Sequence, residues 1–360
     1  MIFQPAIIAL LLASGLGLAM LLAAAPFAVQ VIRHWDIQSG AERQLQLERR
    51  TYLFSTLLTF VLALQGMALL LFVFNADRMA VLFVGAMCAV GTLSVNPYGF
   101  PALLLQMAVF FLAAIWLVIN HVDTRAPDYP LVRIKYGLLL ALLPVLAASF
   151  LVQLQYFLGL KANVITSCCG SLFSESSQAL SGDLAALPPA LAMLGFYGVL
   201  GAAVAVAGYH AWTHRGGFKN HAGPPQVLLG PLGGQGRTAA FSGGGYLVAL
   251  TSGGALVAAL TGILSFVSLY IYEHPHHHCP FCILKPEYGY QGYWLYIPLF
   301  AATAAGLAVG ALQFFRRVPS LAAVVPATTA RLAGIAAAGY LMFTAVATVM
   351  MLRSNLILLG

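Results

Sequence analysis

Nine apolar stretches, at residues 2–32, 51–75, 79–95, 101–120, 136–160, 189–212, 244–272, 294–315 and 332–352, take up most of this 360-residue chain. About 20 apolar residues suffice for a helix to cross the hydrocarbon core of a bilayer. Only structures that satisfy their own backbone hydrogen bonds can sit there. The chain is therefore expected to be an all-α, polytopic integral membrane helix bundle forming a single transmembrane domain over residues 1–360. Charged residues make up 8% of it, against about 25% in soluble domains. Disorder, a coiled coil, a secreted disulfide scaffold and a nucleic-acid binder are excluded on that ground. No Lys or Arg precedes the first stretch, so it reads as a retained anchor and not as a cleaved signal peptide.

The net charge of +7 is a threading signal. Arg33, Arg43, Arg49 and Arg50 follow the first stretch, and Arg125, Arg133 and Lys135 the fourth. Arg215, Lys219 and Arg237 follow the sixth, and Arg316, Arg317 and Arg331 the eighth. Cytoplasmic loops concentrate Lys and Arg, so these loops are expected inside and both termini outside, in a bacterial inner membrane. No charged residue falls in the middle of a stretch, so no intramembrane ion pair or proton relay is expected.

This assignment requires residues 79–120 to cross an odd number of times, although they hold two apolar runs. Ser94-Val95-Asn96-Pro97-Tyr98-Gly99-Phe100-Pro101 separates the runs, and its prolines and glycine interrupt any continuous helix. Eight full crossings plus one broken or re-entrant helix reconcile the count; two short helices and a violated charge rule are the alternative. Small residues at four-residue spacing (Gly254, Ala258, Gly262; Ala302, Gly306, Gly310; Ala330, Gly334, Ala338) suit close helix packing in lipid. Residues 213–243 read as a Gly- and Pro-rich cytoplasmic connector, because Gly233-Gly234-Gln235-Gly236-Arg237-Thr238 lacks the Gly-Lys-Ser/Thr of a phosphate loop.

The chemistry is expected in two loops, 161–188 and 273–293. The first carries the vicinal pair Cys168 and Cys169. The second carries Cys279 and Cys282 in His274-Pro275-His276-His277-His278-Cys279-Pro280-Phe281-Cys282. Two helices separate the loops, so both lie on one side of the membrane, the extracytoplasmic side by the charge rule. Thiols there end as disulfides, metal thiolates or a redox relay. Thiolate with imidazole suits Zn(II), and thiolate-rich sites suit Cu(I). The expected soft-metal shell is Cys279, Cys282, Cys168 and Cys169, completed by His276 or His278, with copper or zinc transported, delivered or held for electron transfer.

Under the alternative, a thiol–disulfide oxidoreductase, Cys279 attacks and the vicinal pair resolves. Cys279-Pro280-Phe281-Cys282-Ile283 resembles the first cysteine motif of the bacterial thiol–quinone oxidoreductases, whose layout the vitamin K epoxide reductases share. That resemblance implies quinone as electron acceptor, although Lys285-Pro286 stand where those enzymes carry Gln/Glu-Arg. Cys168-Cys169-Gly170 is similar to the paired cysteines of the mercuric-ion transport protein. Two further readings are disulfides that only pin the loops and a non-catalytic subunit of a larger membrane complex. Expected partners are the lipid bilayer and an extracytoplasmic thiol or metal-carrier protein, or other membrane subunits, with no nucleic acid.

Cys88, beside Met87 and with Met79 and Met107 in the same runs, reads first as packing, with a soft-metal path through these residues as the sharper reading. His34, His121, His210 and His214 lie near predicted cytoplasmic helix ends. His210 and His214 share a face, but interfacial anchoring fits them better than ligation. No histidine is placed to hold a haem between two helices. Tyr288, Tyr290, Tyr293, Trp294 and Tyr296 read as an interfacial belt, or more sharply as a slot for a quinone or substrate headgroup.

Overall fold

A computed structural model describes residues 3–161, 164–166, 187–214 and 243–358. Eight of its helices are long and apolar enough to cross a membrane. They are α1 (Pro5–His34), α2 (Glu42–Arg78), α4 (Gly99–Asp123), α5 (Val132–Leu158), α6 (Pro189–His214), α7 (Gly244–Tyr272), α8 (Gln291–Gln313) and α9 (Val324–Arg353). A short α3 (Ala89–Leu93) lies between α2 and α4. Among the described residues β pairing is limited to one isolated bridge, Val84 to Ile165.

The helices sort into two four-membered rings. In the first, α1 packs on α2 and α5, and α4 closes the ring against both. In the second, α6 packs on α7 and α9, and α8 closes it; α4 and α8 form the main seam between the rings. Close approach in the second ring depends on missing side chains. A Cβ at Gly306 would run into Ser252, one at Gly310 into Ala249 and one at Gly262 into Phe196. Lipid supplies no hydrophobic drive between helices, so tight contact of small residues takes its place.

Apolar residues 79–95 form no long helix. The α2 helix ends in a 3-10 turn at Met79–Leu82, and the chain then turns at Gly85 with φ +84°. It enters α3, whose five residues are all buried. Pro101 sits in the first turn of α4, where a missing N–H costs nothing. Residues 79–98 thus form a packed excursion at one end of the first ring. Ile7 and Leu10 near the start of α1 pack in the same cluster as Met79, Phe83 and Leu93. The C-terminal tail reaches this end too, since Asn355 donates both its backbone N–H and its side-chain amide to Glu273.

The expectation of no intramembrane ion pair needs amending. Lys135, one turn inside α5, lies 2.7 Å from Asp123 at the end of α4, and both side chains are fully buried. Lys135 also donates to Asn120, while Asp123 accepts the N–H of Leu131. Pairing plus hydrogen bonds is the condition under which buried charge is tolerated. The pair ties α4 to α5 at the end opposite the cysteines.

Candidate metal centre

The loop after α7 is built to present two sulfurs inward. The α7 helix widens into a π-helical turn at Ile263–Val267 and stops at Glu273, whose left-handed backbone (φ 52°) turns the chain back. His274 then donates its N–H to Leu269. His278 Nδ1 lies 2.7 Å from the carbonyl of Leu264 in the widened turn. A carbonyl only accepts, so Nδ1 carries the proton. Two phenols fix the C-x-x-C backbone: Tyr272 donates to the carbonyl of Cys279, and Tyr296 to that of Pro280 at 2.7 Å. Cys282 opens a 3-10 turn, Cys282–Leu284, that carries the chain toward α8.

The third sulfur comes from the other ring. Cys88 immediately precedes α3, and its carbonyl accepts the N–H of Gly91. Thr166 supports this loop by donating its N–H to Val84 at 2.9 Å. Gly85 and Gly91 provide the room: a Cβ on Gly85 would strike the Thr166 carbonyl, and one on Gly91 would come within 2.6 Å of Ala86. Cys88 Sγ thereby lies 3.6 Å from Cys279 Sγ. The sulfurs of Cys88, Cys279 and Cys282 all lie within 4.8 Å of one another, and all three residues are buried.

These separations suit a single ion. A metal–sulfur bond of about 2.3 Å places the sulfurs of a trigonal site about 4.0 Å apart, and of a tetrahedral one about 3.8 Å. The surroundings are Val90, Phe100, Leu264, Tyr272, Phe281 and Tyr288. Three thiolates together in such apolar surroundings repel and lack solvation. The cluster is therefore at ease as neutral thiols or as thiolates around a cation. Burial, followed by the nearby Cys282, pushes the phenol of Tyr288 above its ordinary pKa.

Of the residues singled out in the sequence, Cys279 and Cys282 are in the cluster. His278 is buried beside it at 3% exposure, with Nδ1 committed to Leu264. His276 is exposed on the loop surface. Cys168 and Cys169 lie outside the described residues. Cys88 is the member that the sequence reading took first as packing and left out of the ligand shell. Its one signal was the breaker-rich segment that follows it, which argues against a plain helix around residue 88.

Beneath the cluster, in the seam between the rings, lies a cavity of about 620 Å³. Pro280, Phe281 and Leu284 line its end nearest the cluster, and the rest of its lining comes from α2, α4, α7 and α8. Apart from the phenols of Tyr293 and Tyr296, the side chains lining it are apolar.

No protein-family model, curated protein or solved structure matches the chain.

Proposed function

We propose that this membrane protein binds one soft metal ion between Cys88, Cys279 and Cys282, and holds it for delivery on the extracytoplasmic side of a bacterial inner membrane. The observation that carries the reading is the convergence of three buried sulfurs, drawn from both helix rings, within 4.8 Å of one another. Cu(I) is favoured over Zn(II). Thiolates accept both ions, but structural zinc is almost always four-coordinate, whereas the described residues bring together three ligands. Delivery is favoured over transport because an ion moving through the seam would meet the apolar walls of the cavity. The side of the membrane follows from the basic loops, and an extracytoplasmic metal carrier is the expected partner.

The test is metal analysis of protein purified without oxygen, compared with Cys88→Ser, Cys279→Ser and Cys282→Ser. One copper per chain, lost in each variant, supports the reading. A second reading, thiol–disulfide exchange with quinone as acceptor, is favoured by the 3.6 Å contact of Cys88 with Cys279 and by the apolar cavity beside Phe281. No metal, with reductant-dependent thiol counts and quinone reduction, would support that one instead.

A further inference from the structure

The residues leading into Cys279 grade from solvent to core. His274 and His276 are exposed, His277 is half-buried, and His278 and Cys279 are buried. The exposed part is an ordered turn, closed by the N–H of His277 on the carbonyl of His274. Within it the rings of His276 and His277 lie 6.1 and 6.5 Å from that of His274. Imidazoles on one tetrahedral ion, with metal–nitrogen bonds of about 2.1 Å, have ring centres roughly 5 Å apart, so the turn needs to tighten by about 1–1.5 Å. His274 Nδ1 accepts the N–H of His276, so this hydrogen bond opens when Nδ1 turns to ligate an ion. His277 stacks on Tyr272 at 4.2 Å, with a buried Nε2 that has no hydrogen-bond partner. Tyr272 in turn bonds the Cys279 carbonyl and meets Tyr288 at 4.7 Å. The innermost outer imidazole therefore rests on the aromatic wall of the thiol cluster.

We propose that His274, His276 and His277 form an outer imidazole shell that captures a soft ion and passes it inward to Cys279, Cys282 and Cys88. This rests on the thiolate reading above and adds an uptake route to it. The ion is one that both donor types accept, Cu(I) or Zn(II), and its oxidation state does not change. At each exchange one metal–nitrogen bond breaks and one metal–sulfur bond forms. The thiol proton leaves on the departing imidazole and passes to water.

Stopped-flow mixing of the reduced, metal-free full chain with Cu(I) supplied from a bathocuproine complex tests this, following the thiolate charge-transfer band. In the double variant His274→Ala/His276→Ala, and separately in His277→Phe, which keeps a ring against Tyr272, uptake is expected to slow about tenfold, within the range by which local ligand concentration raises on-rates. Stoichiometry and equilibrium affinity should stay at the wild-type values, and added free imidazole should restore part of the rate. Wild-type uptake rates in both variants would overturn the relay while leaving the thiolate site intact. Loss of stoichiometric binding would make the histidines permanent ligands and overturn it as well. A wild-type protein that takes up no Cu(I) would refute the thiolate reading itself, and the relay with it.

Discussion

Replacing Cys88 by Ala tests the structure where sequence gave least warning. Cys88 is fully buried, so in the metal-free protein the change removes one sulfur from a packed site. The expected loss is about 1 kcal/mol, typical of a small core truncation. The effect on metal should be far larger. Binding of a four-ligand structural zinc is worth about 10–16 kcal/mol, or about 2.5–4 kcal/mol per ligand when divided evenly. At about 1.4 kcal/mol per tenfold, loss of one ligand weakens affinity by roughly two to three powers of ten. The assay is competition against a chromophoric Cu(I) chelator in detergent. A second readout follows from the position of Cys88 in the first ring and Cys279 and Cys282 in the second. An ion bridging them stabilises the fold by about 2.7 kcal/mol at a hundredfold excess over Kd, and this gain should vanish in Cys88→Ala. Unchanged affinity together with an unchanged metal-dependent shift in Tm would refute the three-sulfur centre.

Gly85→Ala should act on the same loop from outside the cluster. The residue has φ +84° and its Cβ would strike Thr166, so a cost of at least about 1–2 kcal/mol and a weakened metal affinity are expected, read by thermal unfolding and chelator competition. Lys135→Met should cost about 3–5 kcal/mol by stranding the buried Asp123 charge. A Lys135→Met/Asp123→Leu double variant should recover much of that in a denaturant cycle, and a double variant as unstable as the single would count against the pair. Metal affinity should fall as pH drops below the ordinary thiol pKa of about 8.5, because each thiolate formed releases a proton. An imidazole-only site would instead be flat above about pH 7.5.

The spanning helices were legible because each apolar stretch is long enough to declare itself by hydropathy, and eight of the nine are helices of spanning length. The exception, 79–95, has the apolarity of a span without its path. Met79, Ala80, Phe83 and residues 88–93 are buried by folding back, while Val81, Val84 and Met87 stay exposed, and hydropathy does not say which apolar side chains protein will cover. Cys88 was obscured for that reason. Cys279 and Cys282 were legible because their spacing is local. The contact of Cys88 with Cys279 joins residues 191 apart in the chain and depends on which helices become neighbours. The Lys135 and Asp123 pair was missed similarly: each residue stands at a helix end and reads as a loop charge, and only the packing of α4 on α5 buries them together.

The most direct test of the thiolate centre is X-ray absorption at the copper edge on protein loaded with one equivalent of Cu(I) under reducing conditions. The three-sulfur site predicts a shell of sulfur alone, three scatterers at about 2.3 Å, falling to two in Cys88→Ala. A shell of nitrogen or oxygen, or a sulfur count that Cys88→Ala leaves unchanged, would contradict it.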